Sequence, residues 1–290
     1  MFKNYLALNE AERQGLLEFV NRYKEQKLSL SEMDKQFMSE VYDFGRGIIT
    51  EHHEGTIIGK AYLILKECKF KGIVYVTDLG IRESIEDEKA AVKELLEEVK
   101  GIAKEYGAKK VYLGTKDERM IEILNSLHLH SQYSAVIMHL DNRGIQCPTL
   151  NLIPLSERNK LEYLRIYNDA FEEVPNGETL VEEDINEYIK DTDENKSYFI
   201  AEANRENIGF IQFDLESDKG QFDLGVLKAY RGKGYGRQLL ETAIHYLNLR
   251  NTAQASLMVI TKNVLAYEMY KRRGFKESKI LSHWFELDNK

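Results

Sequence analysis

The chain has only two cysteines, Cys68 and Cys147, in 290 residues. They stand alone, without the paired spacing of a metal site. Neither a disulfide framework nor a metal centre is expected, and a reducing compartment fits. Long apolar runs are also missing. The start, Met-Phe-Lys-Asn-Tyr-Leu-Ala-Leu-Asn-Glu, holds no apolar stretch of the signal-peptide kind. No segment reaches the roughly 20 apolar residues of a membrane span, so a cytoplasmic protein without membrane contact is expected. Positive charge is in deficit, with 40 Lys and Arg against 48 Asp and Glu, a net charge of −8. That balance argues against a general nucleic-acid binder. The length suits two average domains.

One basic island breaks the acidic background. Residues 224–237 read Leu-Gly-Val-Leu-Lys-Ala-Tyr-Arg-Gly-Lys-Gly-Tyr-Gly-Arg. A strand-like stretch runs into Gly232, Gly234 and Gly236, and an amphipathic helix follows with Leu239, Leu240, Ala243, Ile244 and Leu247 on one face. Strand, glycine turn and helix together aim backbone N–H groups at a phosphate, and glycine supplies φ > 0 and close approach. The nucleotide P-loop pattern fails, because no Gly-Lys-Ser/Thr opens the helix. The dinucleotide fingerprint fails too, because the spacing is GxGxG and lies late in the chain.

The run Arg231-Gly-Lys-Gly-Tyr-Gly236 resembles the acyl-CoA loop of the GNAT acetyltransferases, Arg/Gln-x-x-Gly-x-Gly/Ala. A second segment, Asn263-Val-Leu-Ala-Tyr-Glu-Met-Tyr-Lys-Arg-Arg-Gly-Phe275, resembles the family's other CoA-contacting element. Asn263 can cap a short helix, and Gly274 sits where a left-handed residue would end it. The resemblance covers about the last 140 residues. It implies acetyl-CoA as co-substrate, with the amides of Arg231, Gly232, Lys233, Gly234, Tyr235, Gly236 and Arg237 on its pyrophosphate. It further implies Leu224, Gly225 and Val226 along the pantetheine arm, Asn263 touching that arm, and Tyr270 facing the sulfur. The implied activity is acetyl transfer to a primary amine by direct attack. The Val226 N–H would stabilise the oxyanion and Tyr270 would act as general acid. A non-catalytic acyl-CoA-binding or regulatory protein is the alternative.

The chain also repeats itself. Asp78-Leu-Gly-Ile81 echoes Asp223-Leu-Gly-Val226. Each is followed by a helix (89–106 and 236–250), a strand (110–115 and 255–261), another short helix and a last strand (133–140 and 280–287). The turn formers of 141–149 read as a linker. The expected architecture is therefore α/β (α+β). It has two GNAT-like domains, 1–141 and 149–290, each a mixed, mainly antiparallel sheet flanked by helices. The first copy lacks the glycines after Ile81 and carries carboxylates there, so it reads as a degenerate domain without the CoA loop.

The general base stays open among Asp214, Glu216, Asp223 and a water chain. His283 either reaches the acceptor pocket or packs beside Trp284, and Gly225 either admits the acyl group or marks a β-bulge. The pair His52-His53 reads as a strand-edge or loop feature. Glu172, Glu173, Glu178, Glu182 and Glu183 either wall a cationic acceptor or form a solvated helix face. The amine itself and the oligomeric state are not specified by the sequence.

Overall fold

The computed structural model describes residues 1–22, 24–83, 85–141, 143–216 and 219–287. Contacts divide the chain into two units: Met1–Tyr133 with the segment from Ser282 onward, and Ser134–Leu281.

In the first unit, β1 (Phe2–Asn4), β2 (Ile48–His53), β3 (Thr56–Ile64), β4 (Ile73–Ile81) and β5 (Lys110–Thr115) lie side by side in that order. All pairings are antiparallel except β4 with β5. Strand alternation splits the side chains between two cores. Tyr62 and Ile48 face α1 (Glu10–Asn21) and α2 (Leu30–Phe37). Ala61, Leu63 and Ile49 share the other core with residues of α4 (Glu88–Glu105) and α5 (Glu118–Ser126), while α3 (Lys66–Lys71) bridges β3 and β4. The first helices are set by their caps. Asn9 with Glu12 and Ser29 with Glu32 each form a reciprocal capping box.

The second unit repeats the order. It contains most of β6 (Ser131–Leu140), then β7 (Asn151–Pro154), α6 (Lys160–Phe171), α7 (Glu182–Asp191), β8 (Lys196–Ala203), β9 (Glu206–Glu216) and β10 (Lys219–Val226). Next come α8 (Tyr235–Leu249), β11 (Gln254–Ile260), α9 (Val264–Arg273) and the start of β12 (Lys276–Leu287). Its strands run in the order β6-β11-β10-β9-β8-β7, with only β10 and β11 parallel. The expected apolar face of α8 is fully buried at Leu239, Leu240, Ala243, Ile244 and Leu247.

The unit boundaries differ from 1–141 and 149–290 at the closing strands. Val136, Met138 and Leu140 of β6 enter the core of the second unit beside β11. Phe285 and Leu287 of β12 enter the core of the first, beside β5. The two last strands are exchanged because either one satisfies the free edge of a parallel pair. The segment 141–149, of which Asn142 lies outside the described residues, is pinned to α8. Arg273 and Glu241 form a buried ion pair that also holds the Gly144 carbonyl and the Gln146 N–H. Leu150 N–H donates to Thr242.

Candidate active site

The site begins as a gap between two strands. β10 pairs with β9 along its whole length, Lys219 to Val226 against Glu216 to Gly209, without a break in register. On its other side it pairs with β11 only over Lys219–Gln221. From Phe222 onward the two parallel strands part. Leu227 N–H donates to Ile208 O of β9 at 2.9 Å. N–H directions alternate along a strand, so those of Leu224 and Val226 face the opening instead.

The unbroken register excludes a bulge at Gly225. A Cβ there would lie 2.5 Å from the Phe210 ring and 2.8 Å from Ala170. The glycine therefore lets α6 pack onto the strand, on the face occupied by Asp223. Two residues before Gly225, Asp223 joins a cross-strand row with Gln212 and Tyr198. Gln212 donates to Asp223 at 3.3 Å and accepts from the Tyr163 hydroxyl at 3.4 Å. Burial raises the Asp223 pKa above the ordinary carboxylate value, and the Gln212 hydrogen bond opposes this in part.

Past β10 the chain turns through Lys228–Tyr230 into the glycine run. Gly232 and Gly234 hold φ of 75° and 88°, with open space where a Cβ would stand. Gly234 occupies the N-cap of α8 and offers no side chain to its first turn. The N–H groups of Gly232, Lys233, Gly234, Tyr235 and Gly236 have no acceptor among the described residues. Arg231 N–H and Arg237 N–H, on either side, are held by Lys228 O and Gly234 O. Five consecutive free donors at a helix N-terminus make an anion cradle. Lys233 and Arg237 enter no ion pair among the described residues.

Arg231 is placed differently. Its guanidinium donates to Ala170 O at 2.8 Å and Val226 O at 3.3 Å and pairs with Glu173. It ties the loop to the end of α6 and to the strand edge, leaving the cradle to the amides and the neighbouring cations. Gly236 has helical backbone, and a Cβ there would meet Met269 Sδ at an ordinary 3.6 Å.

Across the opening stands α9. Asn263 caps it, accepting from Ala266 N–H, and Gly274 at φ 104° ends it, with Phe275 N–H returning to Tyr270 O. Tyr270 is buried against Phe275, and its hydroxyl has no hydrogen-bond partner among the described residues. Burial, with the Asp223 charge adding, pushes its pKa far up, so it keeps its proton at neutral pH. A cavity of about 460 Å³ between α8 and α9 is lined by Arg237, Arg272 and the exposed Val264 and Leu265.

A phosphate cradle, an opened parallel strand pair and a capped helix across the gap occur together in one segment. The model of the acetyltransferase (GNAT) family matches residues 161–275, which span all three. Residues 161–275 belong to the GNAT family. An uncharacterised N-acetyltransferase of Methanocaldococcus jannaschii is 33% identical over 91 residues, 31% of this chain and 58% of the relative. An N-alpha-acetyltransferase of Sulfurisphaera tokodaii is 30% identical over 103 residues, 31% of this chain and 62% of the relative. The chain thus spans less than two thirds of the length of these relatives. Among solved structures, a tandem GNAT protein from the clavulanic acid biosynthesis pathway matches with a TM-score of 0.58 at 9% identity. That match covers 100% of this chain and 98% of the other and is a likeness of fold.

The remaining candidates fall outside the GNAT opening or are already engaged. Glu172 and Glu173 pair with Lys228 and Arg231, and Glu182 pairs with Lys160. Three of the five carboxylates of the acidic run are thus engaged by neighbouring cations. Glu216 stands opposite Lys219, at the closed end of the β9–β10 hairpin, and Asp214 stands opposite Gln221. Of the three carboxylates, Asp223 is nearest in register to the opening. His283 pairs with Thr115 of β5 in the first unit. His52 is a buried β2 residue bonded to Thr50 at 2.9 Å. No local sequence pattern signals the Tyr163–Gln212–Asp223 chain, because it joins three elements through register. No helix among the described residues is long and apolar enough to cross a membrane.

Proposed function

We propose that the chain is an acetyl-CoA-dependent N-acetyltransferase whose second unit moves the acetyl group to a primary amine by direct attack. The observation that carries this reading is the run of free amides from Gly232 to Gly236 beside the strand edge opened at Phe222. In this reading the amides, with Lys233 and Arg237, hold the pyrophosphate. The cavity at Arg272 and Leu265 receives the nucleotide end. The edge formed by Leu224, Gly225 and Val226 and the cap residue Asn263 flank the pantetheine arm.

The chemistry then follows from placement. The neutral amine attacks the thioester carbonyl, a C–N bond forms, and the carbonyl oxygen gathers charge toward the Val226 N–H. Such a preorganised donor lowers a barrier by about 3–4 kcal/mol. The nitrogen gives up a proton to water, the C–S bond breaks, and the Tyr270 hydroxyl, reprotonated from water, passes its proton to the departing sulfur. A Tyr that holds its proton firmly is a weak acid, so its effect falls at the low end of the roughly 10²–10⁴-fold typical of general acids. The first unit, with the same element order and no glycine loop, is read as a GNAT-like partner domain without a cofactor site.

The test is calorimetric titration with acetyl-CoA, with desulfo-CoA as control, followed by thiol release with an amine library. One site per chain is expected, lost in Gly234→Glu and kept in Tyr270→Phe, whose turnover falls. A protein that binds acetyl-CoA but releases no thiol with any amine would be the non-catalytic alternative. No binding at millimolar acetyl-CoA would refute both.

A further inference from the structure

The two units treat one position in opposite ways. Asp78 on β4 and Asp223 on β10 each lie two residues past the last parallel pair, Val76 with Leu113 and Gln221 with Ser256. The neighbouring strand then presents Tyr62 and Lys60 in the first unit where it presents Gln212 and Phe210 in the second. In the first unit the chamber is filled from within. Lys60 is buried, and its ammonium bonds the Asp78 carboxylate. The same ammonium lies over the Tyr62 ring at 4.6 Å and the Phe19 ring at 5.6 Å. An ammonium between a carboxylate and aromatic faces satisfies charge and quadrupole together.

In the second unit the place of the lysine stem is taken by Phe210, and no cation pairs with Asp223 among the described residues. The aromatic walls remain. Tyr188 of α7 stacks on Tyr198 at 4.4 Å, next in the row to Gln212 and Asp223. A cavity of about 180 Å³ opens on these residues. Lys196 at its rim is turned to Asp191.

We infer that this cavity binds a primary alkylammonium on a slender apolar stem, seated on the Asp223 carboxylate beside the stacked pair of Tyr188 and Tyr198, as Lys60 is seated on Asp78. This names the acceptor class and rests on the acetyltransferase reading above.

The probe is n-butylammonium chloride, titrated calorimetrically into the full chain, with n-butanol as the neutral control. One site is expected for the ammonium and none for the alcohol. Binding should weaken about tenfold to hundredfold in Asp223→Asn, the worth of a charge-assisted hydrogen bond. That variant removes a half-buried carboxylate with no cationic partner among the described residues and should stay folded, which circular dichroism checks. In Lys60→Ala, n-butylammonium should raise the thermal midpoint by refilling the place beside Asp78. The inference is overturned by no binding to the wild type, by equal binding of n-butanol, by undiminished binding to Asp223→Asn, or by equal rescue of Lys60→Ala with the alcohol. Thiol release from acetyl-CoA is scored separately. Turnover with an amine, without an Asp223-dependent ammonium site, overturns this inference and leaves the acetyltransferase standing. Ammonium binding without turnover does the reverse.

Discussion

Replacing Gly225 by alanine separates two uses of a glycine that coincide in this strand. The added methyl would lie 2.5 Å from Phe210 Cε1 and 2.8 Å from Ala170 Cβ, about 1 Å inside contact distance. Neither neighbour has room to retreat. Phe210 is fully buried, with the Tyr167 ring at 4.7 Å and the Phe171 ring at 5.2 Å, and Ala170 is fixed on α6. Overpacking of a tight core costs about 1–3 kcal/mol, and this site belongs near the top of that range. Phe210→Leu withdraws the ring edge the methyl would strike. The double variant should therefore be more stable than the sum of the single losses, with a coupling of about 1–2 kcal/mol. Urea unfolding followed by far-UV circular dichroism reads all four proteins. The only tryptophan, Trp284, pairs within the first unit and would miss the change. A loss below about 0.5 kcal/mol for Gly225→Ala, or strict additivity with Phe210→Leu, would refute the packing argument.

Other outcomes can be stated more briefly. Gly234→Val forces a β-branched residue to φ 88°, so it should cost about 1–3 kcal/mol in urea and weaken acetyl-CoA at least tenfold. Gly236→Ala, with helical backbone and an open contact, should hold or raise stability, and its acetyl-CoA affinity reports how closely the donor approaches. Glu241→Ala strands the buried Arg273 guanidinium and frees the 144–146 segment, a loss of about 3–5 kcal/mol, and a urea shift worth under 1 kcal/mol would contradict it.

The raised Asp223 pKa means that the folded state holds this proton more tightly than the unfolded chain. Stability therefore falls as pH rises from the ordinary carboxylate value through the folded one. Asp223→Asn should gain on the wild type as pH rises above the ordinary carboxylate value, and urea midpoints that run the other way would sink the assignment. Lys60→Met should be tolerated, because Asp78 is 42% exposed and can rehydrate. Asp78→Asn leaves the Lys60 ammonium buried and should cost several-fold more in thermal melts.

Much of the site was readable because its signals are local. Gly232 and Gly234 take positive φ, Gly274 ends α9 and Asn263 caps it, each within a few residues of the pattern that announces it. Asp223 is visible in the sequence as a carboxylate and as a repeat of Asp78. Its unpaired charge depends on Phe210 standing where the other unit has Lys60, a contrast visible only once β9 and β10 are in register. The loop motif places Arg231 among the residues expected at the phosphate. Its attachment to Ala170 and Val226 depends on where α6 ends.

The sequence by itself determined the two-fold order of elements, the glycine cradle at the start of α8 and the family to which residues 161–275 belong. Periodicity, caps and turn residues act over one or two turns of chain, and that is the range on which these features are specified. Tertiary structure decided which closing strand completes which unit, because the alternating apolar residues of β6 and β12 fit a free parallel edge equally well. It also decided where β10 leaves β11, and so which amides and which carboxylate face the opening. Register sums weak contacts between segments far apart in sequence, and no local pattern carries that sum.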